Sequence, residues 1–211
     1  MLILGVTQYL SRVQLMLAAA VYGIQNKKEN FMLLTIKEIS EQLDEKFSPL
    51  GDDFDDLKLS KRYKPLLNVE ISEKKLNIIF PKEFLSFMKD YDLDNFSLGN
   101  ISFGNSSDYL EMIVNINSEG TFNHWWIGEN RPKEFIVIAI SDPYTILLNT
   151  ITGEVFVMTS ESSMDDFEQV SANFELFIRG AGTIFLGKET FTEIIKYVGS
   201  QTNEFWEEIA N

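Results

Sequence analysis

Few side chains in this 211-residue sequence are equipped for chemistry, and residue types alone remove most reactions. It has no cysteine, so thiol nucleophiles, disulfides and thiolate metal sites are excluded. A single histidine, His124, excludes every metal site that needs two imidazoles. His124 sits in Phe122-Asn123-His124-Trp125-Trp126. A catalytic histidine needs a nucleophile or an orienting carboxylate in space, and the sequence holds no Gly-x-Ser-x-Gly turn to present a serine. His124 therefore reads as a structural or simply exposed residue.

The carboxylates are more numerous. Asp90, Asp92 and Asp94 spell the opening of a calcium loop, but the sixth position is Asn95 instead of glycine and the twelfth is Ile101 instead of glutamate. The pattern reduces to a helix end running into an acidic loop. Asp52, Asp53, Asp55 and Asp56 place four charges within five residues around Phe54, which suits a meeting with a basic partner better than a metal cage. Gly182 to Lys188 satisfies the start of a phosphate-binding loop, yet Glu189 stands where a magnesium-binding serine or threonine belongs. The intervening Ile184, Phe185 and Leu186 look like core. Asn95, Asn100 and Asn105 open glycosylation sequons, which matter only after secretion. No carboxylate pair is singled out by spacing for glycoside hydrolysis. The expectation is a protein without catalytic residues, metal or cofactor.

Charge and aromatic content point to binding. Thirty-two acidic against 18 basic side chains give a net charge of −14. Such a balance repels nucleic acid and anionic lipid, whose affinity comes from Lys and Arg on phosphate. The four arginines, Arg12, Arg62, Arg131 and Arg179, are far apart in sequence. A partner with a basic surface is favoured, since opposite charges accelerate encounter. Trp125 and Trp126 are adjacent, so on a strand they would face opposite sides, one into the core and one toward a partner. Trp125, Glu129, Asp108, Glu111 and the four aspartates of the 52–56 loop are the candidate partner-binding residues.

These residues must be positioned by elements the periodicity predicts. In residues 1–31, Leu2, Val6, Tyr9, Val13, Met16, Ala20 and Ile24 recur at helical spacing. The readings left open are an extension upstream of a domain starting at Met32, a docking helix, a signal peptide ending at Ala18-Ala19-Ala20, and, last, a membrane anchor. Thr35 and Glu38 match a capping box, and Ile36, Ile39, Leu43 and Phe47 form one stripe, predicting a helix over 35–47. Residues 48–64 read as a loop. Ser72 is expected to cap a short helix that Phe80-Pro81 ends, and Pro81 to open another over 82–91 that buries Phe84, Leu85 and Met88. Ile101 and Phe103, then Leu110, Met112 and Val114, alternate as half-buried strands do. Phe135 to Ile140 suits a central strand, with Tyr144–Asn149 and Glu154–Thr159 as a hairpin turning through Thr152-Gly153. After Asp165 the pattern returns to helices, with Phe174, Phe177 and Ile178 on one face and one or two more over 190–210. Helices, then strands, then helices define an α+β domain over 32–211 with a largely antiparallel sheet of about five to six strands.

Four features in this order resemble the SUKH superfamily of bacterial immunity proteins and fungal cell-wall regulators. They are the helix opening Pro81-Lys82-Glu83-Phe84-Leu85-Ser86-Phe87, the segment Trp126-Ile127-Gly128, the strand Phe135 to Ile140 with its hairpin to Gly153, and the helix of Phe174 and Phe177. Asp90 to Asp94 stands where many members carry an Asn-Gly pair. The resemblance implies a cytoplasmic protein-binding domain that performs no chemistry. Its bacterial members neutralise secreted toxins, often nucleases, whose cationic surface an acidic inhibitor can occupy. The alternative it leaves open is an intracellular scaffold or regulatory module on the same fold.

Overall fold

A computed structural model describes residues 32–104, 108–118, 131–159, 162, 167–188 and 190–210. Its elements run α1 (Ile36–Phe47), two 3-10 turns (Ser48–Leu50 and Asp52–Leu57), α2 (Val69–Leu76), α3 (Lys82–Asp90), β1 (Ser97–Leu98), β2 (Ile101–Ser102) and α4 (Tyr109–Ile116). There follow β3 (Phe135–Ser141), β4 (Tyr144–Asn149), β5 (Val155–Thr159), β6 (Glu168–Ser171), α5 (Phe174–Phe185), α6 (Phe191–Val198) and α7 (Glu204–Glu208). The six strands form one antiparallel sheet in sequence order, so the chain is α+β with helices at both ends. Leu33–Asn211 is one compact unit.

The helix predicted from the capping box is present. Thr35 Oγ1 accepts from the Glu38 N–H at 3.2 Å, and Glu38 Oε2 accepts from the Thr35 N–H at 2.8 Å. These bonds hold the Glu38 carboxyl below the usual carboxylate range. The predicted stripe Ile36, Ile39, Leu43 and Phe47 is buried. It packs on α5 at Gly182, where an added Cβ would lie 2.6 Å from Ile39 Cδ1. That contact explains the glycine of the Gly182–Lys188 run: it lets two helices approach and cradles no phosphate.

Four expectations are corrected. Residues 109–116, read as alternating strand, form α4, whose buried side chains Tyr109, Leu110, Ile113, Val114 and Ile116 follow the helical period while Met112 is only partly buried. Ser72 does not cap a helix. It is buried within α2, which starts from Asn68 in the left-handed conformation (φ 61°). Phe87, not Leu85, joins Phe84 and Met88 in the core face of α3, and Pro81 stands before the helix as its cap residue. A sixth strand, β6, also precedes α5 where only helix was expected.

The sheet is buried on both faces. Val137, Leu147 and Met158 lie on Ile116 of α4. On the other face Tyr144 meets the Phe205 ring of α7 edge-on at 5.3 Å. Aromatic side chains converge on Phe174, with the rings of Phe84, Phe87 and Phe103 standing nearly perpendicular to it at 4.8, 5.1 and 6.0 Å.

Side chains close the long edges of the sheet. β2 pairs with β3 only at Ser102 and Ile140. Farther along β3, the Asn117 amide bonds both backbone groups of Val137, the Tyr109 hydroxyl donates to Ile138 O, and Arg131 Nη1 donates to Phe135 O. At β6, the Gln201 N–H donates to Gln169 O and Trp206 Nε1 to Val170 O. A strand edge blocked in this way does not invite strand addition by another chain.

Candidate protein-binding surface

The acidic run 52–56 is a turn of 3-10 helix instead of an open loop. Gly51 makes it possible: at φ 97° it ends the first 3-10 turn and starts the second, a conformation that costs glycine little. Asp52, Asp53, Asp55 and Asp56 are all exposed, and Phe54 between them is 38% exposed. Lys58 Nζ sits 2.6 Å from Asp55 Oδ1 and anchors the end of the turn. Its ammonium is held above the usual lysine value first by that hydrogen bond, then by the charges of Asp55, Asp44 and Asp52, against the opposing effect of burial.

Residues distant in sequence complete the surface. Arg62 Nη2 reaches Asp92 Oδ1 at 2.8 Å and Asp94 Oδ1 at 3.3 Å, with only 7% of its side chain exposed. The backbone reinforces this pairing, since Arg62 N–H donates to Asp90 O and Asp92 N–H to Ser60 O. The calcium-like spacing Asp90, Asp92 and Asp94 thus has a structural use. Asp92 accepts the Asp94 N–H, Asp94 accepts the Tyr109 N–H at 2.8 Å, and both carboxylates serve Arg62. Among the described residues no three His, Cys, Asp or Glu side chains come together in a way that could hold a metal ion.

Asp94 brings the two regions together. With Asp52, Asp53, Asp55, Asp56, Asn95, Ser97, Ser102 and Gly104 it lines a depression of about 600 Å³. The next helix begins beside it, because Tyr109, whose N–H Asp94 holds, is the first residue of α4. Asp108 caps that helix by accepting from the Glu111 N–H at 3.1 Å, and Glu111 is exposed in its first turn. Negative side chains are favoured there by the helix dipole. Six of the eight candidate residues therefore lie in or beside one region. Trp125 and Glu129 fall outside the described residues, as do His124 and the Trp126-Ile127-Gly128 segment. Asp94 is the lining carboxylate that spacing alone did not nominate. The signal was its place in a metal-like motif whose ligand set fails.

Tyr109 joins this region to the sheet. Its hydroxyl is fully buried against Ile138 O at 2.8 Å, and burial pushes the phenol well above its ordinary value of 10. The folded state then holds the proton more tightly than the unfolded chain. Stability is intact below pH 10 and falls as pH rises beyond it, because unfolding releases the proton. Tyr109→Phe should lower the urea midpoint at neutral pH, where Ile138 O loses its donor, and flatten the fall above pH 10. A smaller slope should remain from Tyr144, which is also raised, mainly by burial and then by Glu168, Glu208 and Glu204. A Tyr109→Phe profile parallel to wild type across that range would contradict this.

No described helix is long and apolar enough to cross a membrane. No family model matches the chain, and no curated protein or solved structure is significantly similar to it.

Proposed function

We propose that this protein is a non-enzymatic immunity protein that binds and neutralises a secreted toxin, a basic nuclease by class, through its acidic surface. The observation that carries the reading is the convergence of Asp52, Asp53, Asp55 and Asp56 with Asp94 around one depression, beside the helix start of Asp108 and Glu111. A nuclease grips phosphate with lysine and arginine, so a rigid array of carboxylates competes for the same groups. The array is pre-arranged by Gly51, Lys58 and Arg62, which lowers the ordering cost of binding. Phe54 supplies an apolar contact among the charges. The SUKH resemblance of the sequence points the same way.

The test uses purified full-length protein and the basic nucleases encoded beside its gene, with affinity measured calorimetrically at low and moderate salt. Wild type should bind one of them, more weakly as salt rises. Changing Asp52, Asp53, Asp55 and Asp56 together to Asn should weaken binding by about a hundredfold, roughly 0.7 kcal/mol for each exposed carboxylate. The urea midpoint should fall only slightly, since all four are exposed and the one ion pair lost, Asp55 with Lys58, is a surface pair worth little. No complex with any of these nucleases, or an unchanged affinity in the quadruple variant, would overturn the reading.

A further inference from the structure

A second surface differs from the aspartate depression in carrying charges of both signs. It is a groove of about 670 Å³ between the end of α2 and the turn joining β4 to β5. Glu73 and Lys74 line it from α2, and Lys133 and Glu134 from the segment leading into β3. Ile79 and Ile151 also line it, 77% and 81% exposed. The four charges cancel, while the protein as a whole keeps 14 excess negatives. No lining residue is shared with the depression around Asp94.

Both walls of the groove are firmly held. Arg131 braces them by donating to Leu76 O at the end of α2 and to Phe135 O at the start of β3. The turn presenting Ile151 is fixed by Asn149, whose Oδ1 accepts from the N–H groups of Ile151 and Thr152. On the other wall, Glu73 Oε1 accepts the Phe80 N–H, which fixes that carboxylate. Exposed isoleucines on such a backbone mark a contact surface that need not be ordered before it binds.

The charges say what the surface meets. A wholly acidic or wholly basic partner gains at two of the four groups and is repelled at the other two. A partner matching all four must itself carry lysine beside glutamate. A second copy necessarily does, because a two-fold axis lays the same patch against itself. Two bodies of charge −14 repel each other, and a face whose charges cancel lifts that penalty locally. A stable dimer contact takes about 800 Å² from each copy. Exposed Ile71, one turn before Lys74 on the same side of α2, and exposed Leu67 before it extend the apolar surface past the groove.

We propose that this groove is the contact of a symmetric homodimer, with the β4–β5 turn of each copy seated in the groove of the other. Ile151 of one copy then meets Ile79 of the second, and lysine meets glutamate across the axis. The proposal does not rest on the immunity reading.

The test is sedimentation equilibrium of the full-length protein from micromolar to near-millimolar concentration. At physiological ionic strength, charges more than about 8 Å apart are largely screened, so the net charge does not mask the local contact. Wild type should pass from the 24.3 kDa monomer to a dimer as concentration rises. Ile79→Ser with Ile151→Ser should raise the dissociation constant about tenfold or more. Lys74→Glu with Lys133→Glu, which makes all four groups negative, should do the same. So should Glu134→Lys, which leaves Glu73 alone against three lysines. Mixing these two charge variants should restore association as a heterodimer. Circular dichroism of dilute samples checks that each variant folds. A wild type that stays monomeric throughout overturns the proposal and leaves the groove to a different chain. A dimer that the isoleucine pair does not weaken places the contact elsewhere and overturns it as well, as does a mixture of the charge variants that remains monomeric.

Discussion

Trp206→Ala is expected to destabilise the protein by about 3–5 kcal/mol, the range for removing a large buried aromatic side chain. The indole is fully buried between Phe177 and Phe205, with ring centroids at 5.9 and 5.2 Å. It also fills the space that Gly180 leaves open, where an added Cβ would come within 2.8 Å of its ring. Alanine would open a cavity that these rigid neighbours cannot close. It would also take the Nε1–H donor from Val170 O, a bond of 3.0 Å that helps cover the edge of β6. The consequence reaches beyond packing. α7 has five residues, too few to be helical without tertiary contacts, and its buried side chains are Phe205 and Trp206. Hydrogen exchange should therefore show residues 204–208 losing protection in the variant before the rest of the domain. Trp206→Phe keeps most of the apolar volume and should cost less, about 1–3 kcal/mol, chiefly from the unpaired carbonyl and the missing ring atoms. Urea denaturation orders the three proteins, and a Trp206→Ala loss below that of Trp206→Phe would refute this account of α7.

The contrast between α1 and α4 explains what the sequence could reveal. In α1 the apolar residues fall three and four apart with polar residues between, so only the helical period fits, and Thr35 with Glu38 marks the start. In α4 apolar residues occupy six of eight positions. Leu110, Met112 and Val114 satisfy a period of two while Leu110, Ile113 and Val114 satisfy the helical one, and the apolar pattern alone cannot choose. The deciding sign was Asp108, which caps the N–H of the residue three further on. β6 was hidden for another reason. Glu168 and Gln169 do not advertise a strand, and that strand is covered by Trp206 and the residue 198–201 segment, partners about 30 residues away.

The candidate surface was half visible on the same grounds. Four aspartates in five residues are a local fact, and the structure keeps them together on one 3-10 turn. Their convergence with Asp94 depends on Arg62 crossing to Asp92 and Asp94, and on the helix start that Asp94 holds. Long-range pairings of this kind leave no periodic trace.

Asn117 tests how the edge of β3 is closed. Its Oδ1 accepts the Val137 N–H at 2.7 Å, while its Nδ2 donates to Val137 O and to Ile113 O, each at 2.8 Å. One side chain thus does for Val137 what a neighbouring strand would do, and both residues are buried. Asn117→Leu keeps the approximate volume but leaves a buried N–H and C=O without partners. At about 1–3 kcal/mol each, the expected loss is roughly 2–6 kcal/mol in urea denaturation. Asn117→Asp separates the two bonds. A carboxylate can still accept from the Val137 N–H but faces the Val137 and Ile113 carbonyls with no donor, so its charged form is disfavoured in the fold. Protonation restores a donor. The folded-state pKa of the new carboxyl should accordingly lie above its unfolded value, and the stability deficit should shrink as pH falls from neutral toward about 4. Asn117→Leu introduces no titrating group, so its deficit should not shrink in that window. If the aspartate variant tracks the leucine variant at every pH, the amide does not stand in for a strand at Val137.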